Sequence, residues 1–420
     1  MKNIFLKTAF LSLFFLALGS CSSDKEEDEE VMVNPPVVVE PDPLTIHNTA
    51  NYMVDKNATK ETAALFYNLR KLAKNKFAVG QQDAFLSFYQ DAGGESDMKK
   101  ATGNDPAIVG SDLLFVTDIR NDGTNGNWFY QEEVKNATQI KNAYAKGIIN
   151  TVSWHLRGPK NKNYPETDNE EYTFNASSMF EADKSTFFRS ILPGGTRHGW
   201  FKEKLDQVAS FSSKLKGTKG ELIPFIFRPF HEFDGSWFWW GASFCTPEEY
   251  KTVYRFTVTY LRDTKGVHNI LYAFSPDNSY TTSAEYLSRY PGDEYVDVLG
   301  IDNYGDFNNQ GQTGADKANA KLKIISDYAK VKVKIAALTE TGYRVTSSNP
   351  SINNWFSTYL YSALTANNIE VSYVMLWGNN SDGYYVPNSW VSNSDDFKSF
   401  ATKSKSALVN SLPKMYEMPK

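Results

Sequence analysis

Residues Ile223 to Gly241 read IPFIFRPFHEFDGSWFWWG. The first half is an apolar, β-prone run, and it ends not in a turn but in Arg228, His231 and Glu232. Charged groups at the end of a buried run are poor core material. They are what the C-terminal rim of a barrel strand requires.

Seven further runs have the same form. They are Phe77 to Gln82, Ala107 to Asp112, Ile148 to His155, Asn269 to Ser275, Val296 to Asn303, Lys334 to Glu340 and Val371 to Trp377. Nearly every one closes on a polar or aromatic group: Gln81-Gln82, Asp112, His155, Asp302, Glu340 and Trp377. Between the runs lie helix-compatible stretches at Glu132 to Ala145, Lys202 to Leu215, Thr246 to Asp263, Ala315 to Ala329 and Ile352 to Ala366. Thr246-Pro247-Glu248-Glu249 supplies an N-cap, a proline at the first helical position and acids in the first turn. Eight alternating strand and helix units predict an α/β fold, a (β/α)8 TIM barrel forming a single catalytic domain over residues 46–412. A doubly wound nucleotide-binding sheet needs a glycine-rich turn after its first strand, and Gly80-Gln81-Gln82-Asp83 offers none. The chain also lacks GxxxxGK[ST], HExxH and GxSxG, and has no internal repeat of 20 to 50 residues.

Glu232 ends the fourth run and Glu340, in Leu338-Thr339-Glu340-Thr341-Gly342, ends the seventh. Two carboxyls closing those strands point into one mouth. Such a pair suits glycoside hydrolysis by double displacement, one acid protonating the leaving oxygen while the other attacks the anomeric carbon.

With these residues in place the chain resembles glycoside hydrolase family 26, best known for endo-β-1,4-mannanases, across roughly residues 50 to 412. The likeness rests on Trp154-His155-Leu156, the Arg228 to Gly241 block, Asp302-Asn303-Tyr304, Thr339-Glu340 and Leu376-Trp377-Gly378. It implies Glu232 as acid/base and Glu340 as nucleophile, acting on mannan, galactomannan or glucomannan. It also implies His231 and Tyr304 as hydrogen-bonding supports, with His155, Trp237 and Trp377 against the sugar. Arg228 and Asp302 are read as supporting residues, Arg228 fixing the nucleophile and Asp302 bracing its loop. His231 either meets the substrate or orients Glu232. At least one of Trp239 and Trp240 is expected in the core. One departure stands out: Arg157-Gly158-Pro159 follows the strand-3 His-Leu where family mannanases often carry Asn-Asn-Pro.

The chemistry requires no metal or organic cofactor, and His47, His198 and His268 form no ligand pattern. The same carboxyl pair would serve a β-1,3-xylanase, a mixed-linkage β-glucanase or an exo-acting mannobiose-releasing enzyme. A non-catalytic, surface glycan-binding lipoprotein is the alternative from another class.

The remaining sequence speaks to location. Of 420 residues, 15% are aromatic, a surplus that suits sugar faces as well as a large core. Asp24 to Glu30 holds six acids and one base, which is the whole net charge of −5. No basic footprint for nucleic acid remains. Lys2 and Lys7 before the apolar run Ala9 to Leu18 read as a secretory signal over residues 1–20. Leu18-Gly19-Ser20-Cys21 resembles a bacterial lipobox, with Cys21 as the lipidated residue. The acidic run after it looks like the surface-export signal of Bacteroidetes lipoproteins. It leads, within a segment over residues 21–45, into the Pro/Val-rich spacer Val31 to Pro43. The expectation is a monomer held at the outer-membrane surface through its lipid alone. Cys245 is expected to be a buried, unreactive thiol.

Overall fold

The computed structural model describes residues 43–90, 94–163 and 172–420. The signal, lipobox, acidic run and most of the spacer lie outside the described residues. Among those described, no helix is long and apolar enough to cross a membrane.

Eight strands, in chain order, cover Phe77–Gln82, Ile108–Asp112, Ile149–Trp154, Phe225–Pro229, Ile270–Phe274, Val298–Asn303, Ile335–Thr341 and Tyr373–Leu376. Each pairs in parallel with the next. The eighth returns to the first, with Ala78 opposite Tyr373 and Gln81 opposite Leu376, so the sheet closes into a (β/α)8 barrel. Long helices at Trp128–Ala145, His198–Lys214, Pro247–Thr259 and Gly311–Lys332 fill the crossovers. The Thr246 side chain accepts from the Glu249 amide, and Glu249 answers to the Thr246 amide, completing a capping box.

Period-two alternation explains why these strands read as continuous apolar runs: both faces are covered. Phe225 and Phe227 share a cluster with Leu205, Val208 and Phe211 of the helix layer. Ile226 instead belongs to a second cluster with Ile108, Val298, Ile335 and Tyr373, which fills the bottom of the barrel. Leu65, Phe66, Leu69 and Leu72 of helix Lys60–Leu72 join that cluster and stopper it from below. Water is thus kept from one end, and the polar strand ends gather at the other.

Two irregularities shape that polar end. The fourth strand stops at Pro229, earlier than its apolar run suggests, because Phe230 and Glu232 both take left-handed backbone conformations (φ 52° and 51°). Such angles are costly for side-chain-bearing residues and persist only when clamped. Tyr250 donates its hydroxyl to the Phe230 carbonyl (3.1 Å), Trp240 donates Nε1–H to the His231 carbonyl (2.7 Å), and the Glu232 amide reaches the Ser275 carbonyl (2.9 Å). In the seventh strand the register slips: Ile301 faces Leu338, but Asp302 faces Glu340. Thr339 is the extra residue of a bulge, and after it Glu340 turns to the same side. The helix expected over Thr246 to Asp263 widens into a π turn at Tyr260–Thr264. The stretch Ile352 to Ala366 begins as a π turn at Trp355–Leu360 before one α-helical turn at Tyr361–Thr365.

Candidate active site

Arg228 is the centre of the polar layer above the apolar plug. Its side chain is fully buried, yet it faces three strands at once. Nη1 donates to Asp302 Oδ2 (2.6 Å) and to Ser275 Oγ (3.1 Å), and Nη2 donates to Glu340 Oε1. Asp302 is further held by Thr339 Oγ1 at 2.7 Å and Ser275 Oγ at 3.0 Å. The bulge therefore gives Thr339 to the brace under Asp302 and Glu340 to the cavity. Gly300 makes room for this layer, since a Cβ there would sit 2.6 Å from the Thr339 side chain.

The second oxygen of Glu340 accepts from the Tyr304 hydroxyl at 3.0 Å. Burial and the nearby Glu340 charge push the Tyr304 phenol well up, so it remains a donor. With Arg228 on one oxygen and Tyr304 on the other, Glu340 has a fixed orientation.

Glu232 stands opposite, on its strained turn. Glu232, Asp302 and Glu340 each bring a carboxylate oxygen within 4.8 Å of the others. Three acids at that spacing could hold a cation, but the Arg228 guanidinium already supplies positive charge to two of them. Among the described residues Glu232 has no such partner. Burial, reinforced by the charges of Glu340 and Asp302, raises its pKa well above the ordinary carboxyl value. Among the described residues its side-chain partner is Trp237, whose Nε1–H donates to Oε2 at 2.5 Å. Gly235 lets the indole fold down, since a Cβ there would meet the Trp237 ring at 2.2 Å. One carboxyl that keeps its proton thus faces one held as an acceptor by a guanidinium and a phenol.

His155, after the third strand, packs against His231 with ring centroids 4.6 Å apart, and against Phe174, Phe238 and Trp377 at 5.0, 5.4 and 6.2 Å. Trp377 is partly open, and its amide bonds the Thr341 carbonyl at 3.1 Å. His155, His231, Trp237, Tyr304, Trp377, Arg228, Asp302 and the two glutamates are therefore gathered at one end of the barrel. Trp239 and Trp240 are both fully buried, so both belong to the core. Cys245 is buried as well, and burial pushes its thiol up to about 11. Arg157 is tied to Asp118 at 2.5 Å, and Asp118 also accepts from Arg120 at 3.0 Å.

Two residues near the site escape sequence reasoning. Asp112 is visible there only as a polar strand end, whereas its carboxylate meets His155 Nδ1 at 2.5 Å. Tyr385, past the eighth strand, lies edge-on to Tyr304 at 6.2 Å, and nothing in its surrounding sequence marks it.

Comparison with known proteins agrees with this geometry. The model of "Glycosyl hydrolase family 26" matches residues 54–350. A mannan endo-1,4-beta-mannosidase of Bifidobacterium adolescentis is 34% identical over 85% of this chain, and the chain spans 35% of that relative's length. A solved structure of GH26C from Muricauda sp. MAR_2010_75 superposes with a TM-score of 0.86 at 50% identity, covering 90% of this chain and 99% of that one. A family 26 beta-mannanase of Bacteroides ovatus superposes with a TM-score of 0.74 at 33% identity, covering 86% and 98%. On the strength of the barrel, the two rim glutamates and these matches, the chain belongs to glycosyl hydrolase family 26.

Proposed function

We propose that the protein is a retaining endo-β-1,4-mannosidase acting on mannan, galactomannan or glucomannan. The observation that carries the mechanism is the approach of the Glu232 and Glu340 oxygens to within 4.8 Å. Retaining glycosidases keep their carboxyls about 5 Å apart, whereas inverting ones leave roughly 6.5–9.5 Å for a water. The choice of mannan is supported by relatives named as mannan endo-1,4-beta-mannosidases, in Bifidobacterium adolescentis and in Bacillus subtilis.

In the first step Glu340 attacks the anomeric carbon as the glycosidic C–O bond breaks, and the Glu232 proton passes to the leaving oxygen. The product is a glycosyl ester on Glu340. Esterification removes the charge that helps to keep Glu232 protonated, so Glu232 becomes the more acidic partner. It then takes a proton from water, the water oxygen attacks the anomeric carbon, and the ester C–O bond breaks to restore both carboxyls. Arg228 and Tyr304 position Glu340 throughout. Asp302 keeps Arg228 in place. His155, His231, Trp237 and Trp377 are assigned to the sugar. Reducing-end release from mannan, glucomannan, xylan and lichenan tests the reading. Turnover of the mannans is expected, and comparable turnover of xylan or lichenan would move the specificity elsewhere.

We further propose lipidation at Cys21 and display at the outer-membrane surface, supported by the lipobox and the acidic run after it. Cys21→Ala should release the protein from membranes without changing its specific activity. A variant that still fractionates with membranes would refute the anchor.

A further inference from the structure

The second strand ends in a carboxylate that meets His155 through both of its oxygens. Asp112 Oδ2 accepts from Ser153 Oγ at 2.7 Å and lies 2.5 Å from His155 Nδ1. Asp112 Oδ1 accepts from the Leu114 amide at 2.7 Å and the His155 amide at 3.2 Å. Burial opposes charge on Asp112, but these donors and the imidazole override it and hold its pKa below the ordinary value. An ionised carboxylate can only accept, so His155 Nδ1 must carry a hydrogen. His155 Nε2 is then the ring nitrogen left for a ligand.

We propose that Asp112 is a positioning residue that fixes the ring of His155, with Nδ1–H held on the carboxylate and Nε2 left for the sugar, beside the His231 ring, so that the reacting sugar meets an imidazole of fixed orientation. This rests on the glycosidase reading and deepens it.

The surroundings of His155 come from four strands. Burial and Arg228 oppose its charge, while Asp112 and Glu340 favour it, and the net effect is upward. Asp83, just past the first strand, is pushed up to about 7 by burial and by Asp112, so it adds negative charge near His155 only toward neutral pH. His231 is placed oppositely: burial, Arg228 and His155 drive its pKa well below the usual imidazole range. Its Nδ1 is buried and has no hydrogen-bond partner among the described residues. Two rings with centroids 4.6 Å apart thus stand in opposite surroundings, one favouring charge and one opposing it, and two environments that separate like groups commonly assign them different tasks. Two imidazoles side by side, one held by a carboxylate on its far nitrogen, suit adjacent sugar hydroxyls, each of which can donate and accept.

NMR of the histidine ring signals tests this directly, because the chain has only five histidines and His155→Asn identifies the signal. In the full-length protein the His155 titration midpoint should lie above that of His231. Asp112→Asn should lower the His155 titration midpoint by about one unit or more, and Asp112→Glu should restore it. On mannan, Asp112→Asn should lose roughly tenfold or more in kcat/KM, and Asp112→Glu should regain part of it. A His155 midpoint below that of His231 in the wild type, an unmoved midpoint in Asp112→Asn, or undiminished kcat/KM in Asp112→Asn would overturn the proposal. Wild-type protein inert on mannan, with the His155 midpoint lowered by Asp112→Asn, would count against the substrate assignment while upholding the role of Asp112.

Discussion

Trp237 donates its indole N–H to Glu232 Oε2 at 2.5 Å, the one side-chain hydrogen bond to that carboxyl among the described residues, in an otherwise discouraging environment for charge. That bond favours the ionised form, against burial and the neighbouring Glu340 and Asp302. It therefore helps Glu232 in the half-reaction where it must act as a base.

Trp237→Phe should raise the Glu232 pKa further and carry the alkaline limb of the pH–rate profile upward with it. On an aryl mannoside with a good leaving group, where deglycosylation limits, kcat should fall by about tenfold, the scale of one hydrogen bond to a charged group. An alkaline limb that stays in place would detach Trp237 from the acid/base.

Glu232 also has a stability signature. Its folded pKa lies above its unfolded one, so the folded state keeps a proton that the unfolded chain releases. Stability then falls as pH rises from the unfolded pKa through the folded pKa. Glu232→Gln has no such loss, and its melting temperature should exceed that of wild type at pH 8 while the difference vanishes below the unfolded carboxyl pKa. Parallel melting curves across pH would mean that Glu232 is ionised in the fold.

Arg228→Met leaves Asp302 and Glu340 buried without their cation. Breaking a buried ion pair from one side costs about 3–5 kcal/mol, and urea unfolding should show a loss of that order together with loss of turnover. A variant as stable as wild type would show that the two carboxyls are not both charged.

The eight strands were legible because parallel barrel strands, covered on both faces, appear as unbroken apolar runs with polar ends. Glu232 and Glu340 were legible for the same reason, each standing at such an end. Local geometry was less so. Nothing in Leu338-Thr339-Glu340 signals a bulge, yet the bulge is what sends Thr339 to Asp302 and Glu340 to the cavity. The left-handed turns at Phe230 and Glu232 depend on clamps from Trp240 and Tyr250, up to 20 residues away. Asp112 meets His155 across 43 residues of chain, a pairing set by strand register and not by spacing.

His231 is buried against His155 and Trp240, and the role proposed for it is to sense the axial 2-hydroxyl of a mannoside. Because a site built to pair a hydroxyl rejects substrates lacking that contact, kcat/KM on mannan should exceed that on lichenan by about a thousandfold, roughly 4 kcal/mol. His231→Ala should narrow that ratio. An unchanged ratio, with both activities lowered alike, would assign His231 to orienting Glu232 instead.

The most direct test of the account is to trap the covalent intermediate. A 2-deoxy-2-fluoro-β-mannosyl donor with a good leaving group slows both steps but the second more, so the glycosyl ester accumulates and can be located by peptide mass spectrometry. The label should lie on the peptide carrying Glu340 in the wild type, and Glu340→Ala should take none. A label on Glu232 or Asp302, or full turnover of mannan by Glu340→Ala, would contradict the double displacement proposed for this pair.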